Sequence, residues 1–220
     1  MFYRIIGTVF ILSYPIISAS FYRFDRRRYT EGKHGHIPAI PGFRTAYRWV
    51  QLSTAIVAAA SLFCRNPVLL QLYTSTGLLY FGLSGCVGAM GLFVWAKMCL
   101  GAEYSPCCDS LVANRLIDTG PYAYIRHPIY VANLTWLLGL FIATGSVWIA
   151  MNIAIVALYY VTSARQEESV LARELPAYAA YMARTGAFLP RLYRTSSDNL
   201  SRTVQTIQRE DETQTERQDG

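Results

Sequence analysis

Long apolar stretches separated by short polar connections predict a bundle of membrane-spanning helices. A helix crosses a bilayer with about 20 predominantly apolar residues. Residues 5–21, 49–64 and 77–100 form three such stretches. The uncharged run over 129–164 is too long for one span at about 1.5 Å per residue, and Gly145-Ser146 near its middle predicts a tight hairpin of two spans. The fold class expected is therefore all-α, with about five transmembrane helices.

Basic residues give this bundle an orientation. Residues 23–48 hold seven arginines and lysines against two acidic residues, which predicts a cytosolic loop by the positive-inside rule. Arg65 is the only charge between the second and third spans, so that loop is expected on the other side. The loop over 101–128 and everything after Ala164 then return to the cytosol. This pattern predicts an odd number of spans, with the amino terminus outside.

The composition supports a membrane protein. Of 220 residues, 53% are hydrophobic and 15% charged, whereas soluble domains carry roughly a quarter charged residues. The mean hydropathy of +0.23 excludes a disordered chain and argues strongly against a soluble enzyme. The net charge of +6 does not indicate a nucleic-acid partner, because the positive charge lies in one block between apolar segments. The lipid bilayer is the expected partner.

Glycines, cysteines and histidines add three expectations. Gly82, Gly85, Gly88 and Gly91 recur at helical spacing, which favours close helix packing. The five cysteines are odd in number and irregular in spacing, which predicts reduced thiols. We expect no metal site: His34 and His36 are interpreted as a solvated loop pair.

The chain becomes charged after the hairpin. Over 165–184, apolar residues recur at three- and four-residue steps, which predicts an amphipathic helix that Pro176 divides. The tail over 195–220 has almost nothing to bury, so we expect it to be disordered. The predicted organisation is spans and a basic loop over 1–76, a catalytic core over 77–194 and a tail over 195–220.

Candidate chemistry lies in two stretches that this topology brings to the cytosolic face. Arg126 and His127 end a loop at the membrane entry, where Pro128 suits the first turn of a helix. Glu167 and Glu168 follow directly on a neutral span, where unpaired carboxylates are costly. Each stretch also has a simpler explanation when it is considered alone. The Arg-His pair could be charges that orient the membrane protein, and the glutamate pair could be a solvated helix start. Their predicted convergence favours a polar site.

Together these stretches resemble a known family. The run from Gly120 to Tyr130 reads Gly-Pro-Tyr-x-Tyr-x-Arg-His-Pro-x-Tyr, and an apolar hairpin and Glu-Glu follow it. Tyr178-x-x-Tyr181-x-x-Arg184 and Leu189-Pro190 come next. This pattern is similar to that of the isoprenylcysteine carboxyl methyltransferases, integral-membrane enzymes that use S-adenosylmethionine. The resemblance covers residues 77–190.

The resemblance implies roles for individual residues. Arg126, Glu168 and Arg165 are candidate catalytic residues. The family's substrate-facing arginine corresponds to Ser163 here, and this departure leaves the substrate open. The implied cofactor contacts are Asn114, Arg115, Leu116, Ile117, Tyr122, His127, Pro128, Ile129, Tyr130 and Glu167.

The expected reaction transfers a methyl group to a lipophilic carboxylate. A carboxylate is already ionised at neutral pH, so the enzyme has mainly to position it and exclude water. The resemblance implies prenylcysteine as the default acceptor, on a prenylated protein, and a small terpenoid acid is a further possibility. For a eukaryotic source we expect a multi-pass protein of the endoplasmic reticulum membrane.

Three other functions stay open. A phospholipid amine methyltransferase would share the cofactor and use Glu168 as a base. An NADPH-dependent sterol-type reductase resembles the Arg-His-Pro-x-Tyr run but commonly has asparagine at the position of Ile129. A non-enzymatic membrane scaffold or transporter is the third alternative, and a transporter would place polar groups near mid-membrane.

Overall fold

The computed structural model describes residues 43–63, 71–73, 75–103 and 115–191. Within these ranges the chain forms helices and turns and no β-strand. The predicted first span, the tail, Asn114, both loop histidines, Cys64, Cys107 and Cys108 lie outside the described residues. The helices are α1 (Phe43–Phe63), α2 (Thr76–Leu100), α3 (Pro128–Thr144), α4 (Val147–Glu174) and α5 (Tyr178–Arg184), with 3-10 turns at Gly101–Glu103 and Gly120–Ala123.

Two of the described helices, α2 and α4, are long and apolar enough to cross a membrane. Helix α3 is equally apolar but has 17 residues. Helix α1 begins at Phe43, six residues before the predicted span over 49–64, and so includes part of the segment predicted as a loop. The described residues therefore contain four long helices from the predicted set of five, and the count of five transmembrane helices stays a prediction.

The predicted hairpin is confirmed. Helix α3 ends at Thr144 because Gly145 adopts a left-handed conformation with φ 65°. A Cβ at this position would lie 2.7 Å from the backbone oxygen of Tyr73, so the turn also requires the space that glycine leaves. Helix α4 begins two residues later at Val147.

Helices α2 and α3 pack antiparallel and very closely at one point. A Cβ on Gly82 would lie 2.4 Å from the backbone oxygen of Gly139, so the two backbones touch. Gly88 and Gly91, which share the same sequence pattern, have nothing within 4 Å. The expected close packing therefore depends on Gly82, and Gly88 and Gly91 do not contribute to it.

Helix α1 runs antiparallel to α4 and is joined to it by polar pairs. The hydroxyl of Tyr47 lies 2.8 Å from that of Tyr160. Further along α1, Thr54 Oγ1 accepts a hydrogen bond from Asn152 Nδ2 at 2.8 Å, and both side chains are buried. Such hydrogen bonds between apolar helices fix their register, because the alternative is an unsatisfied polar group.

The amphipathic segment predicted over 165–184 is divided at Pro176, as expected, but it does not begin as a separate helix. Helix α4 continues from the hairpin through Glu174 without a break. No proline or glycine interrupts the ladder of backbone hydrogen bonds between Ala164 and Glu174. The apolar part of α4 therefore ends near Ala164, and its charged last turns extend beyond the predicted membrane-spanning segment.

Candidate functional site

The antiparallel packing brings three chain segments to one end of the bundle. The carboxyl end of α2, the amino end of α3 and the charged extension of α4 meet there. Gly120, with φ 59°, lies so close to α2 that a Cβ would be 2.5 Å from Cys99 Sγ. The predicted convergence of Arg126 and His127 with the glutamate pair is therefore present in the structure.

Arg126 links this end of the molecule together. Its Nε lies 2.7 Å from Glu168 Oε1, and its side chain is only 9% exposed. Its Nη1 donates to the backbone oxygen of Met182 at 3.2 Å and also to that of Thr185. The guanidinium thus joins the start of α3, the extension of α4 and the segment after α5.

His127 lies between the two carboxylates. Its Nε2 is 3.0 Å from Glu168 Oε1, and its Nδ1 is 3.7 Å from Glu167 Oε2. The histidine side chain is 7% exposed, and the two glutamate side chains are 14% and 17% exposed. Two carboxylates face one guanidinium and one imidazole, so the cluster carries net negative charge whenever His127 is neutral.

Tyr130 connects this charged cluster to an aromatic column. Its hydroxyl donates to Glu167 Oε1 at 2.5 Å. Its ring stacks on His127, with centroids 5.2 Å apart, and on Tyr160, with centroids 4.4 Å apart. His127 directly precedes α3 and lies three residues before Tyr130. Residues 160 and 167 are seven apart on α4 and therefore share one face of that helix.

A short strap over 185–188 covers the cluster. The backbone amides of Arg126 and His127 donate to the carbonyls of Gly186 and Ala187 at 2.8 and 3.0 Å. The ring of Phe188 lies 5.7 Å from that of His127. These contacts fix the entry to α3 and reduce the access of water to the cluster.

Partner charges determine the protonation of Glu168, which lies beyond the apolar part of α4. Burial would raise its pKa, but hydrogen bonds and positive charge from His127 and Arg126 outweigh burial and hold the pKa at about 2. Burial raises the pKa of Tyr178, and the charge of Glu168 raises it further. Glu168 is therefore an ionised, weakly basic carboxylate at neutral pH, and Tyr178 stays protonated.

Several predicted cofactor contacts lie beside the cluster. Tyr122 is buried, and its carbonyl accepts a hydrogen bond from the Tyr181 hydroxyl at 2.7 Å. Pro128 is fully buried at the first position of α3, as its conformation favours, and Ile129 is half-buried beside it. These residues form the packed wall on which His127 and Tyr130 are held.

The other predicted residues are less closely involved. Leu116 and Ile117 are half-buried. The guanidinium of Arg115 is largely exposed, and its Nε is 4.0 Å from Glu103 Oε1. Arg165 is exposed on α4 and forms no ion pair with any described residue, so the structure does not bring it to the cluster.

Three residues of this region were not expected from sequence. Tyr160 stacks on Tyr130 and accepts a hydrogen bond from Asn133 Nδ2 at 2.8 Å. Tyr47 reaches it from α1. Tyr160 lies at helical spacing from Glu167, and Asn133 lies at helical spacing from Tyr130, so a sequence signal exists for both residues. No local pattern points to Tyr47.

Part of the chain matches a known protein family. Residues 78–177 match the model of a family described as phospholipid methyltransferase. That family shares a superfamily of integral-membrane methyltransferases with the isoprenylcysteine carboxyl methyltransferases, and it normally uses S-adenosylmethionine. The match supports a membrane methyltransferase. The resemblance drawn from sequence is thus confirmed at the level of the superfamily.

Two curated relatives carry names from metal resistance. The chain is 34% identical over 131 residues to a nickel-cobalt-cadmium resistance protein of Alcaligenes xylosoxydans xylosoxydans, covering 58% of each protein. It is 44% identical over 80 residues to a cobalt-zinc-cadmium resistance protein of Cupriavidus metallidurans, covering 36% of this chain and 37% of the relative. The chain therefore aligns with less than two thirds of either relative. Among the described residues, no group of three or more His, Cys, Asp or Glu side chains is placed to hold a metal ion.

Proposed function

We propose that this protein is an integral-membrane methyltransferase that transfers a methyl group from S-adenosylmethionine to a lipophilic acceptor. The observation that carries the proposal is the cluster of Arg126, His127, Tyr130, Glu167 and Glu168 at one end of an apolar bundle. The family match over 78–177 supports the same activity. A polar site at the membrane surface suits an enzyme that joins a water-soluble cofactor to a greasy substrate.

The chemistry of the cluster fits this cofactor. S-adenosylmethionine carries a sulfonium and an ammonium group, and the carboxylate pair outweighs the single guanidinium. Glu168 is committed to Arg126 and His127, so we assign cofactor binding to Glu167, which Tyr130 orients. The stacked rings of His127 and Tyr130 hold this carboxylate in a fixed position. The bound cofactor would supply an electrophilic methyl carbon.

In the proposed mechanism the protein positions groups and excludes water. Arg126 and Glu168 hold the start of α3 against α4, which fixes the orientation of His127. The strap over 185–188 keeps solvent from the cluster. Correct alignment and the exclusion of water contribute most of the rate in an in-line displacement that needs no covalent intermediate.

Two acceptor classes follow from the resemblances. The first is a lipophilic carboxylate, with prenylcysteine as the default, and it needs no general base. The second is an amine on a phospholipid, which would correspond to the matched family of phospholipid methyltransferases. An ammonium group must lose a proton first, and Glu168 is a poor base because its pKa lies at about 2. The carboxylate is therefore the first acceptor to test.

Calorimetric titration of detergent-purified protein tests the cofactor. We expect saturable binding of S-adenosylmethionine and no binding of NADPH. Glu167→Gln should weaken binding by at least tenfold, because it removes the charge that faces the cofactor. Glu174→Gln, an exposed change on the same helix, is the matched control and should bind as the wild type does. Binding of NADPH alone by folded protein would replace this proposal with a reductase.

The names of the two relatives favour a second, cellular role in tolerance to divalent metals. We propose that methylation in the membrane contributes to that tolerance. Cells lacking this chain would be grown with cadmium, cobalt or zinc after complementation by wild type or Glu167→Gln. Growth restored by the wild type and not by the variant would link tolerance to methyl transfer. Equal restoration of growth by the wild type and by Glu167→Gln would show that tolerance does not depend on methyl transfer.

A further inference from the structure

A pocket opens between α1, α3 and α4, next to the aromatic column but separate from the charged cluster. The empty space between its walls is about 490 Å³, and part of that space is open to the surroundings of the bundle. Its walls are formed by side chains of these three helices. The lining residues are Tyr47, Val50, Gln51, Thr54, Ala55, Asn133, Trp136, Leu137, Leu140, Val156 and Tyr160.

The lining carries hydrogen-bonding groups and no charge. A bound ammonium, phosphate or carboxylate would find no counter-ion among these residues, and an uncompensated charge in such surroundings is costly. Three of the polar side chains meet at one end of the pocket. Tyr160 Oη lies 2.8 Å from Tyr47 Oη and accepts from Asn133 Nδ2 at 2.8 Å. Either tyrosine hydroxyl can be the donor of the first bond, so the trio can adapt to a donor or an acceptor on a ligand.

This polar trio lies next to the candidate cofactor site. The ring of Tyr160 stacks on that of Tyr130 at 4.4 Å, and Tyr130 donates to Glu167. One aromatic ring therefore separates the polar end of the pocket from the tyrosine that holds the cofactor-binding carboxylate. The opposite end reaches Leu140 and Thr54, toward the middle of the bundle.

We infer that this pocket binds the uncharged, apolar chain of the methyl acceptor, and that Tyr47, Asn133 and Tyr160 recognise a neutral oxygen on that chain. Tyr47 belongs to α1, outside the residues that match the family model. It is the specificity-determining residue that α1 adds to the core of α2, α3 and α4. The inference rests on the proposed methyl transfer only in calling the ligand an acceptor; occupancy of the pocket is measured independently.

Trp136 lines the pocket and reports on its contents. The protein has four tryptophans, so replacing Trp49, Trp95 and Trp148 with phenylalanine leaves Trp136 as the only one. Bromine quenches tryptophan fluorescence at contact distance. The probes are 11-bromoundecan-1-ol and 1-bromododecane, which differ by a hydroxyl in place of a methyl group. Each is titrated into this variant in detergent, with its micelle partition measured separately.

We expect saturable quenching by both probes and tighter binding of the alcohol after correction for partition. Tyr47→Phe removes one hydroxyl and should weaken the alcohol about fivefold, the effect of one hydrogen bond, while the alkane is unchanged. Ala55→Phe fills the pocket and should abolish saturable quenching by both probes. Ala154→Phe, an exposed change on α4, should alter neither.

Linear, unsaturable quenching that Ala55→Phe leaves unchanged would overturn the pocket. An equal effect of Tyr47→Phe on both probes, in protein that elutes as the wild type does, would overturn the recognition of oxygen. Binding of S-adenosylmethionine is measured on the same preparations. Absence of S-adenosylmethionine binding with saturable quenching would refute only the proposed reaction. Binding of S-adenosylmethionine without saturable quenching would refute only the pocket.

Discussion

The Nε atom of Arg126 lies 2.7 Å from Oε1 of Glu168, across a contact between the start of α3 and the last turns of α4. The same guanidinium donates to carbonyls of Met182 and Thr185, beyond the end of α4. Arg126 thereby positions the cluster, and its guanidinium is already engaged with the protein. The catalytic role expected of Arg126 from sequence stays a prediction, and the contacts in the structure assign it a positioning role.

Glu168→Ala should destabilise the protein by about 3 kcal/mol, because the change leaves the guanidinium of Arg126 buried without its counter-ion. Unfolding in mixed micelles, followed by circular dichroism, measures the loss. Glu174→Ala, exposed on the same helix, should change stability by less than about 0.5 kcal/mol. The pair Arg126→Leu with Glu168→Leu should recover part of the loss, since it leaves no unpaired charge. A single variant as stable as the wild type would contradict this account.

Acid should weaken the same contact. The pKa of Glu168 falls from an ordinary value of 4.5 to about 2 in the folded protein, so the folded state binds this proton less readily than the unfolded chain. Its contribution to stability is complete above pH 5 and is lost as the pH falls through 4.5 toward 2. The melting temperature, measured from pH 7 to pH 3, should fall less steeply in Glu168→Gln than in the wild type. Parallel curves would assign the acid sensitivity to other groups.

Tyr130→Phe keeps the aromatic column and removes the hydroxyl that orients Glu167. Affinity for S-adenosylmethionine should fall about fivefold, because one hydrogen bond to a partly buried carboxylate is lost. Calorimetry gives the dissociation constant. Tyr124→Phe alters an exposed tyrosine of the same segment and serves as the control. Equal affinities for all three proteins would remove Tyr130 from the cofactor site.

Gly82→Ala should destabilise the bundle by about 1–3 kcal/mol, because the added methyl group meets backbone atoms of α3 that cannot move aside easily. Gly88→Ala adds the same group on the same helix where nothing lies within 4 Å. That variant should be as stable as the wild type or slightly more so, since alanine favours a helix over glycine. Resistance to unfolding by dodecyl sulfate compares the two. Equal losses would place the helix contact elsewhere.

The predicted orientation can be tested with tags at residues 1 and 220. An odd number of spans with the amino terminus outside requires the two tags to lie on opposite sides of the membrane. Protease protection in sealed vesicles locates each tag. Tags on the same side would exclude the five-span arrangement.

Local sequence patterns determined most of the helical framework. The uncharged run with Gly145-Ser146 at its centre predicts the hairpin, because a glycine that can adopt a left-handed conformation ends a helix at that point. Pro128 and Pro176 correctly mark a helix start and a helix end, since proline favours the first turn and interrupts a helix interior. The glutamate pair and the Arg-His pair are predicted to meet because both flank the same hairpin.

Only the tertiary structure determined which partner each glutamate of the cluster contacts. Adjacent glutamates on a helix point in directions about 100° apart, so the backbone orientation of α4 determines that Glu168 meets Arg126 while Glu167 meets Tyr130. The contact of Tyr47 with Tyr160 spans 113 positions and depends on how α1 lies against α4. Composition and periodicity specify which face of a helix is apolar. They do not specify which neighbour that face meets, because many apolar partners offer similar burial energy.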